Sequence, residues 1–167
     1  QMKDRPSVSL WSDISNALKG ELGSITGAPA KGVFIVFEGG EGIGKTTQAK
    51  LLKAWLEQED ETVVLSREPG GSELGVEIRK ILLSHSTGEI SPRAEALLYA
   101  ADRAHHVHSV IRPALAQGEV VISDRYFDSS IAYQGAGRIL QPQEVARISR
   151  WATESLFPTL TIIIDLP

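Results

Sequence analysis

"FEGGEGIGKTTQ", Phe37 to Gln48, decides the fold. Within it Gly39, Gly44, Lys45 and Thr46 fit the spacing G-x-x-x-x-G-K-[ST]. Glycines at these positions let the backbone turn so that consecutive N–H groups point inward. The lysine reaches terminal phosphates, the threonine offers a hydroxyl to Mg²⁺, and the positive end of the following helix adds to the field. With glycine usage of about 7%, these four residues would meet by chance in a chain of this length roughly once in two hundred. The surroundings complete the motif. An apolar strand-like run, "VFIVFE", precedes the loop, and "KTTQAKLLKAWLEQ" follows with Ala49, Leu52 and Leu56 at helical spacing. The loop residues Gly39, Gly40, Glu41, Gly42, Ile43, Gly44, Lys45, Thr46 and Thr47 are therefore the expected cradle for an ATP- or GTP-type phosphate chain. Two carboxylates, Glu38 and Glu41, sit in this anion-binding loop and need a reason. Glu38 ends the strand, where it faces a polar rim or a neighbouring N–H. Glu41 is repelled by donor phosphates and is expected to turn outward, toward a group that donates hydrogen bonds.

Outward from the loop, buried strands alternate with helices. "TVVLS" (62–66), "EVVISD" (119–124) and "TLTIIID" (159–165) read as three further strands, with helices over 73–84, 92–107, 108–117 and 141–154. This order predicts an α/β fold, a parallel sheet between two helical layers, with ligands at the carboxyl ends of the strands, where Glu38, Arg67 and Asp124 fall. At 167 residues, 42% hydrophobic and 23% charged, with net charge −4, the chain suits one soluble domain and has no general pull toward nucleic acid or membrane. With no cysteine there is no disulfide, thiolate metal site or cysteine nucleophile. No run approaches the roughly 20 apolar residues of a membrane helix and no signal-peptide pattern opens the sequence, so it reads as cytoplasmic. Residues 1–31 read as an N-terminal arm: Leu10, Ile14, Leu18 and Leu22 suggest a short amphipathic helix behind Ser9 or Ser12, with "GSITGAPAKG" as a linker to a domain over 32–167. The start at Gln1 and the stop at Pro167, directly after a strand, read as a piece of a longer protein.

Asp124 closes its strand as a natural partner for the same metal as Thr46, or caps the next turn. Arg125 beside it suits an anion ligand or a rim salt bridge. Phosphoryl transfer needs an acceptor site opposite the donor. Arg67, Arg79, Tyr99 and Arg103 are its candidates, with Tyr99 and Arg103 four apart on one helix face, suited to stacking on a planar base and bonding its edge. Singly, Tyr99 also reads as a core aromatic, and Arg79 and Arg103 as solvated charges. His105, His106 and His108 lack metal-ligand spacing and are expected to mark the surface end of a helix.

Taken together, "FEGGEGIGKTTQ", "REPGGSELGVEIRKILL", "EALLYAADRAHHV", "VISDRYFDSSIAYQGAGR" and "FPTLTIIIDLP" resemble the successive blocks of bacterial thymidylate kinase, in order, over Gly32 to Pro167. The resemblance implies a three-layer P-loop NTPase fold of the nucleoside monophosphate kinase type, with four of its five parallel strands in this sequence. It implies transfer of the γ-phosphoryl of ATP to thymidine monophosphate with Mg²⁺, held by Thr46 and Asp124, and with Lys45, Asp124 and Arg125 as catalytic residues. It places Tyr99 on thymine, Arg103 at the base edge, and Arg67, Arg79 and Arg125 between acceptor phosphate and donor. Glu41 falls at the acceptor sugar. Tyr133 falls where a 2′-hydroxyl would clash, and Ser129, Ser130 and Gln134 lie on the polar wall near base and sugar. It further implies a homodimer, with an interface helix near Asp128 to Ala132 or Pro92 to Val107. In that family an arginine-rich lid, a strand and a helix follow "DLP", and none of these is in this sequence. Some members carry an arginine in the loop, but here Glu41 precedes Gly42, so the catalytic arginine is expected in the lid. The alternatives are a kinase for another nucleoside monophosphate and a non-catalytic nucleotide-binding fragment.

Overall fold

The computed structural model describes residues 32–130 and 140–165. The arm, Tyr133 and Gln134 lie outside these residues, as do the side chains of Ser129 and Ser130.

The strands are β1 (Val33–Gly39), β2 (Val63–Arg67), β3 (Val120–Asp124) and β4 (Leu160–Ile164), forming one sheet in the order β2-β3-β1-β4. All pairings are parallel, as the alternation with helices predicts. β1 is central and is buried along Val33 to Glu38, which explains its unbroken apolar run. Its alternate side chains serve two cores. On one face Phe34 and Val36 pack with Val121, Tyr126, Val107, Ile111 and Ala114. On the other, helix α1 (Lys45–Gln58) lays down Ala49, Leu52 and Leu56 and contacts β1, β2 and β3.

Helix α2 (Glu73–Leu83) is capped by Ser72, whose hydroxyl accepts the Gly75 N–H at 3.0 Å. Helix α3 (Pro92–His106) starts with Ser91 as cap and Pro92 in its first turn. Where the sequence suggests a break near residue 107, the chain stays helical: Val107–Ile111 widens into a π-turn, with the Arg112 N–H bonded to the Val107 carbonyl, and runs into α4 (Arg112–Ala116). Pro113 explains this, because it has no N–H for the carbonyl four residues back, and the extra residue accommodates its ring. A short helix, α5 (Phe127–Ser130), follows β3, where the resemblance implies a helix near Asp128 to Ala132. Helix α6 (Pro142–Ala152) opens with a capping box between Gln141 and Glu144 and packs on α3.

Leu52 is fully buried against the sheet. Leu52→Ala is expected to lower unfolding free energy by about 2 to 5 kcal/mol, measured by urea denaturation.

Candidate functional site

Register assembles the site. Phe37 pairs with Asp124, and Asp124 with Arg67, so the last residues of β2 and β3 and a residue near the end of β1 form one row toward the carboxyl edge of the sheet. At the end of β1 the chain turns through Gly39, where a Cβ would lie 2.3 Å from the Ile164 carbonyl oxygen. A side chain there would push β4 away, so the glycine is required by close approach as much as by its φ of 137°. The loop then rises to Gly44, left-handed at φ 93°, and enters α1. Lys45 is 6% exposed, and its ammonium donates to the Gly40 carbonyl. Thr46 donates its hydroxyl to the Asp124 carboxylate at 2.7 Å, joining α1 to β3.

Arg125 stands in the left-handed region at φ 74°, a costly conformation for a residue with a Cβ. Its N–H donates to the Phe37 carbonyl at 2.8 Å, which holds it there, and its guanidinium donates to Glu41 at 2.8 Å. Glu41 does turn outward, with its side chain 92% exposed. Glu38 accepts the Tyr126 N–H at 2.8 Å, the neighbouring N–H expected of it.

Opposite the loop, the turn after β2 carries Glu68, Pro69, Gly70 and Gly71. Arg79 of α2 donates to the Pro69 carbonyl at 3.0 Å. Between these walls lies a cleft of about 1150 Å³. It is lined by Glu41, Gly42, Gly44, Lys45, Thr46 and Asp124 on the loop side, and by Arg67, Arg79, Tyr99 and Arg103 opposite, with Arg125 also on its wall. Gly39, Gly40, Ile43 and Thr47 shape the loop without lining this cleft. Burial, aided by Glu95, pushes the Tyr99 phenol up, so the ring stays neutral at physiological pH.

Arg103 is no solvated helix charge: it is 2% exposed. Its Nε donates to Glu68 at 2.6 Å, one terminal nitrogen to Ser149 at 3.3 Å and the other to the Tyr126 carbonyl at 3.2 Å. The reading of the histidines also needs correcting. His108 is exposed and His105 partly so, but His106 is fully buried. Its Nδ1 lies 2.9 Å from Glu68, and its Nε2 lies 2.6 Å from the Ser66 hydroxyl. Burial opposes ionisation of Glu68, yet Arg103 and His106 outweigh it and hold the carboxyl below its ordinary range. Glu68 and Tyr126, both on the wall of the cleft, escaped the sequence reading. A signal existed: Tyr99, Asp102, Arg103 and His106 follow the i, i+3, i+4, i+7 spacing of an inward-facing stripe, here occupied by polar groups.

Asp102 belongs to this stripe and is fully buried. One carboxylate oxygen accepts the Gly70 N–H at 2.9 Å, while the other, among the described residues, has no partner. Burial, with the charge of Glu68 added, pushes its carboxyl from 3.8 to about 6. The folded state therefore holds this proton more tightly than the unfolded chain, and the stability it contributes, present below about pH 4, is lost as pH rises through 6. Asp102→Asn should gain stability relative to the unmodified protein as pH goes from 4 to 8, by roughly 2 to 3 kcal/mol at 1.36 kcal/mol per unit. Urea denaturation at the two pH values measures this; an equal effect at both would contradict it.

The family model described as thymidylate kinase matches residues 37–167. A thymidylate kinase of Clavibacter michiganensis subsp. michiganensis is 64% identical over 135 residues, covering 81% of this chain and 64% of that one. That of Leifsonia xyli subsp. xyli is 63% identical, with the same coverage of 81% and 64%. Among solved structures, the crystal structure of thymidylate kinase from Ehrlichia chaffeensis is 37% identical, with a TM-score of 0.74 over 81% of this chain and 75% of that one. The chain thus spans just under two thirds of the length of these curated relatives.

Proposed function

Because the chain belongs to the thymidylate kinase family, we propose that it transfers the γ-phosphoryl of ATP to thymidine monophosphate, giving thymidine diphosphate and ADP. The observation that carries this reading is a cleft with a phosphate loop on one wall and an aromatic ring with arginines on the other.

The chemistry is positioning and charge neutralisation, with no covalent intermediate. The loop N–H groups and Lys45 cradle the β- and γ-phosphates of ATP. A hydroxyl and a carboxylate oxygen 2.7 Å apart, on Thr46 and Asp124, suit Mg²⁺, which prefers a few oxygen ligands completed by phosphate and water. When bound, Mg²⁺ neutralises charge on the phosphate oxygens. Across the cleft the thymine ring stacks on Tyr99, and Arg103 meets its edge. Three of the five guanidinium N–H bonds of Arg103 are engaged within the chain, leaving donors for a carbonyl of the base. Arg67, Arg79 and Arg125 take the acceptor phosphate, which sets the attacking oxygen in line with the donor. Glu41 accepts a hydrogen bond from the sugar 3′-hydroxyl, so the guanidinium now bonded to Glu41 lies where it also reaches the transferring group. From the resemblance alone, Ser129, Ser130 and Gln134 serve the base and sugar, and Tyr133 excludes a 2′-hydroxyl.

A homodimer belongs to the same proposal, supported by Leu97 of α3, an apolar side chain 58% exposed on a helix expected to carry the interface. So does a cytoplasmic location; among the described residues no helix is long and apolar enough to cross a membrane.

A coupled assay of ADP release with thymidine monophosphate tests the activity. Lys45→Ala should lower turnover roughly 10²- to 10³-fold, the scale of removing one donor to a charged transition state. Tyr99→Ala should raise the KM for thymidine monophosphate about tenfold, the scale of one lost base stack, with little change for ATP. ADP release no faster than in Lys45→Ala, or a preference for cytidine or purine monophosphates, would sink the reading.

A further inference from the structure

Glu68 is the centre of a buried polar cluster that the transfer reaction does not by itself require. It is 3% exposed at the turn after β2, yet both its oxygens are committed to α3, one to Arg103 at 2.6 Å and the other to His106 at 2.9 Å. Neither partner is at liberty to drift. Arg103 also reaches Ser149 on α6 and the Tyr126 carbonyl beyond β3, and its guanidinium lies 5.6 Å from the centre of the Tyr126 ring. His106 is closed in at Nε2 by the Ser66 hydroxyl and by the backbone of Gly71, where a Cβ would come within 2.5 Å of that nitrogen. The guanidinium is thereby fixed from the turn after β2, from α6 and from the segment after β3, although it belongs to α3.

Stability alone does not account for such a cluster. Desolvating a charged pair costs about as much as the pair returns, and apolar side chains of the same volume serve a core as well. What an ion pair of this kind gives is a fixed geometry, and the cluster lies on the cleft wall, where Arg103 brings a guanidinium beside Ser66, Glu68 and Tyr126. Ser66, His106 and Glu68 do stand in the order of nucleophile, base and orienting acid. Gly71 lies over the Ser66 hydroxyl, however, where a Cβ would be 2.6 Å away, and the second oxygen of Glu68 is taken by Arg103. The array holds a position and does not attack a substrate.

We propose that Glu68 and His106 are positioning residues for the acceptor nucleotide: Glu68 holds the Arg103 guanidinium at the cleft, and His106 holds Glu68. The inference rests on the kinase reading for its consequence, but its physical core concerns Arg103 alone and is measurable without substrate.

Three variants test it in the full chain. Glu68→Gln removes the charge, His106→Leu removes the donor to Glu68, and His106→Asn keeps an amide N–H near the place of Nδ1. The ¹⁵N–¹H signal of the Arg103 Nε group should be protected from solvent exchange in the unmodified protein and in His106→Asn, and should lose that protection in Glu68→Gln and His106→Leu. In turnover, Glu68→Gln and His106→Leu should raise the KM for thymidine monophosphate about tenfold, the scale of unpairing one buried charged group, and leave that for ATP within about twofold. His106→Asn should restore most of the loss. A merely structural role would lower thermal stability and the active fraction while leaving both KM values alone. Equal shifts for both nucleotides, or no rescue by asparagine, would overturn the proposal. If the unmodified protein does not phosphorylate thymidine monophosphate, the kinase reading fails, and the Arg103 signal still decides: protection that persists in Glu68→Gln overturns the positioning claim.

Discussion

The lateral register of three parallel strands is the constraint from which the rest follows. β1 is buried on both faces, so its neighbours cannot slip without moving whole apolar rows into solvent. In the register adopted, Phe37, Asp124 and Arg67 stand side by side. The loop leaves from the first of these strands, the Thr46 partner closes the second, and Arg67 closes the third. The phosphate loop after β1 and Arg67 at the end of β2 are thus set about two strand spacings apart, with β3 between them, by backbone hydrogen bonding.

Charge is then arranged around that edge. The carboxylates of the phosphate loop have different work. Glu38 is buried and bonds the backbone N–H of Tyr126, so it belongs to the sheet edge rather than to any ligand. Glu41 stays in solvent and pairs with Arg125, whose left-handed backbone brings the guanidinium to the cleft. Negative charge in an anion-binding loop is tolerable because it is turned away from the N–H cradle and balanced by a cation on the neighbouring strand.

How much of this was legible in the sequence follows from the range of each interaction. The apolar strand, glycine spacing and helix around Lys45 are local, and their bounds match closely. Ser72, Ser91 and Pro92 likewise mark helix starts through bonds within one turn. His106 was misread because its partners, Glu68 and Ser66, are 38 and 40 residues away, and nothing local shows a histidine that its ring is covered. Arg103 is similar, with its anchors spread over three segments. The π-turn ahead of Pro113 has no periodicity of its own, so 92–107 and 108–117 read as two helices, whereas one extra residue lets a single helical path pass the proline. The short helix after β3 has only four residues, too few for a periodicity to declare itself.

The central claim is that one cleft holds a donor site at the loop and an acceptor site at Tyr99 and the arginines. A crystal structure of the protein with thymidine monophosphate tests it most directly. The account predicts the thymine ring against Tyr99 with its edge toward Arg103, the phosphate among Arg67, Arg79 and Arg125, and the sugar hydroxyl beside Glu41. Thymidine monophosphate lying instead with its phosphate in the loop at Lys45, and Tyr99 untouched, would contradict it.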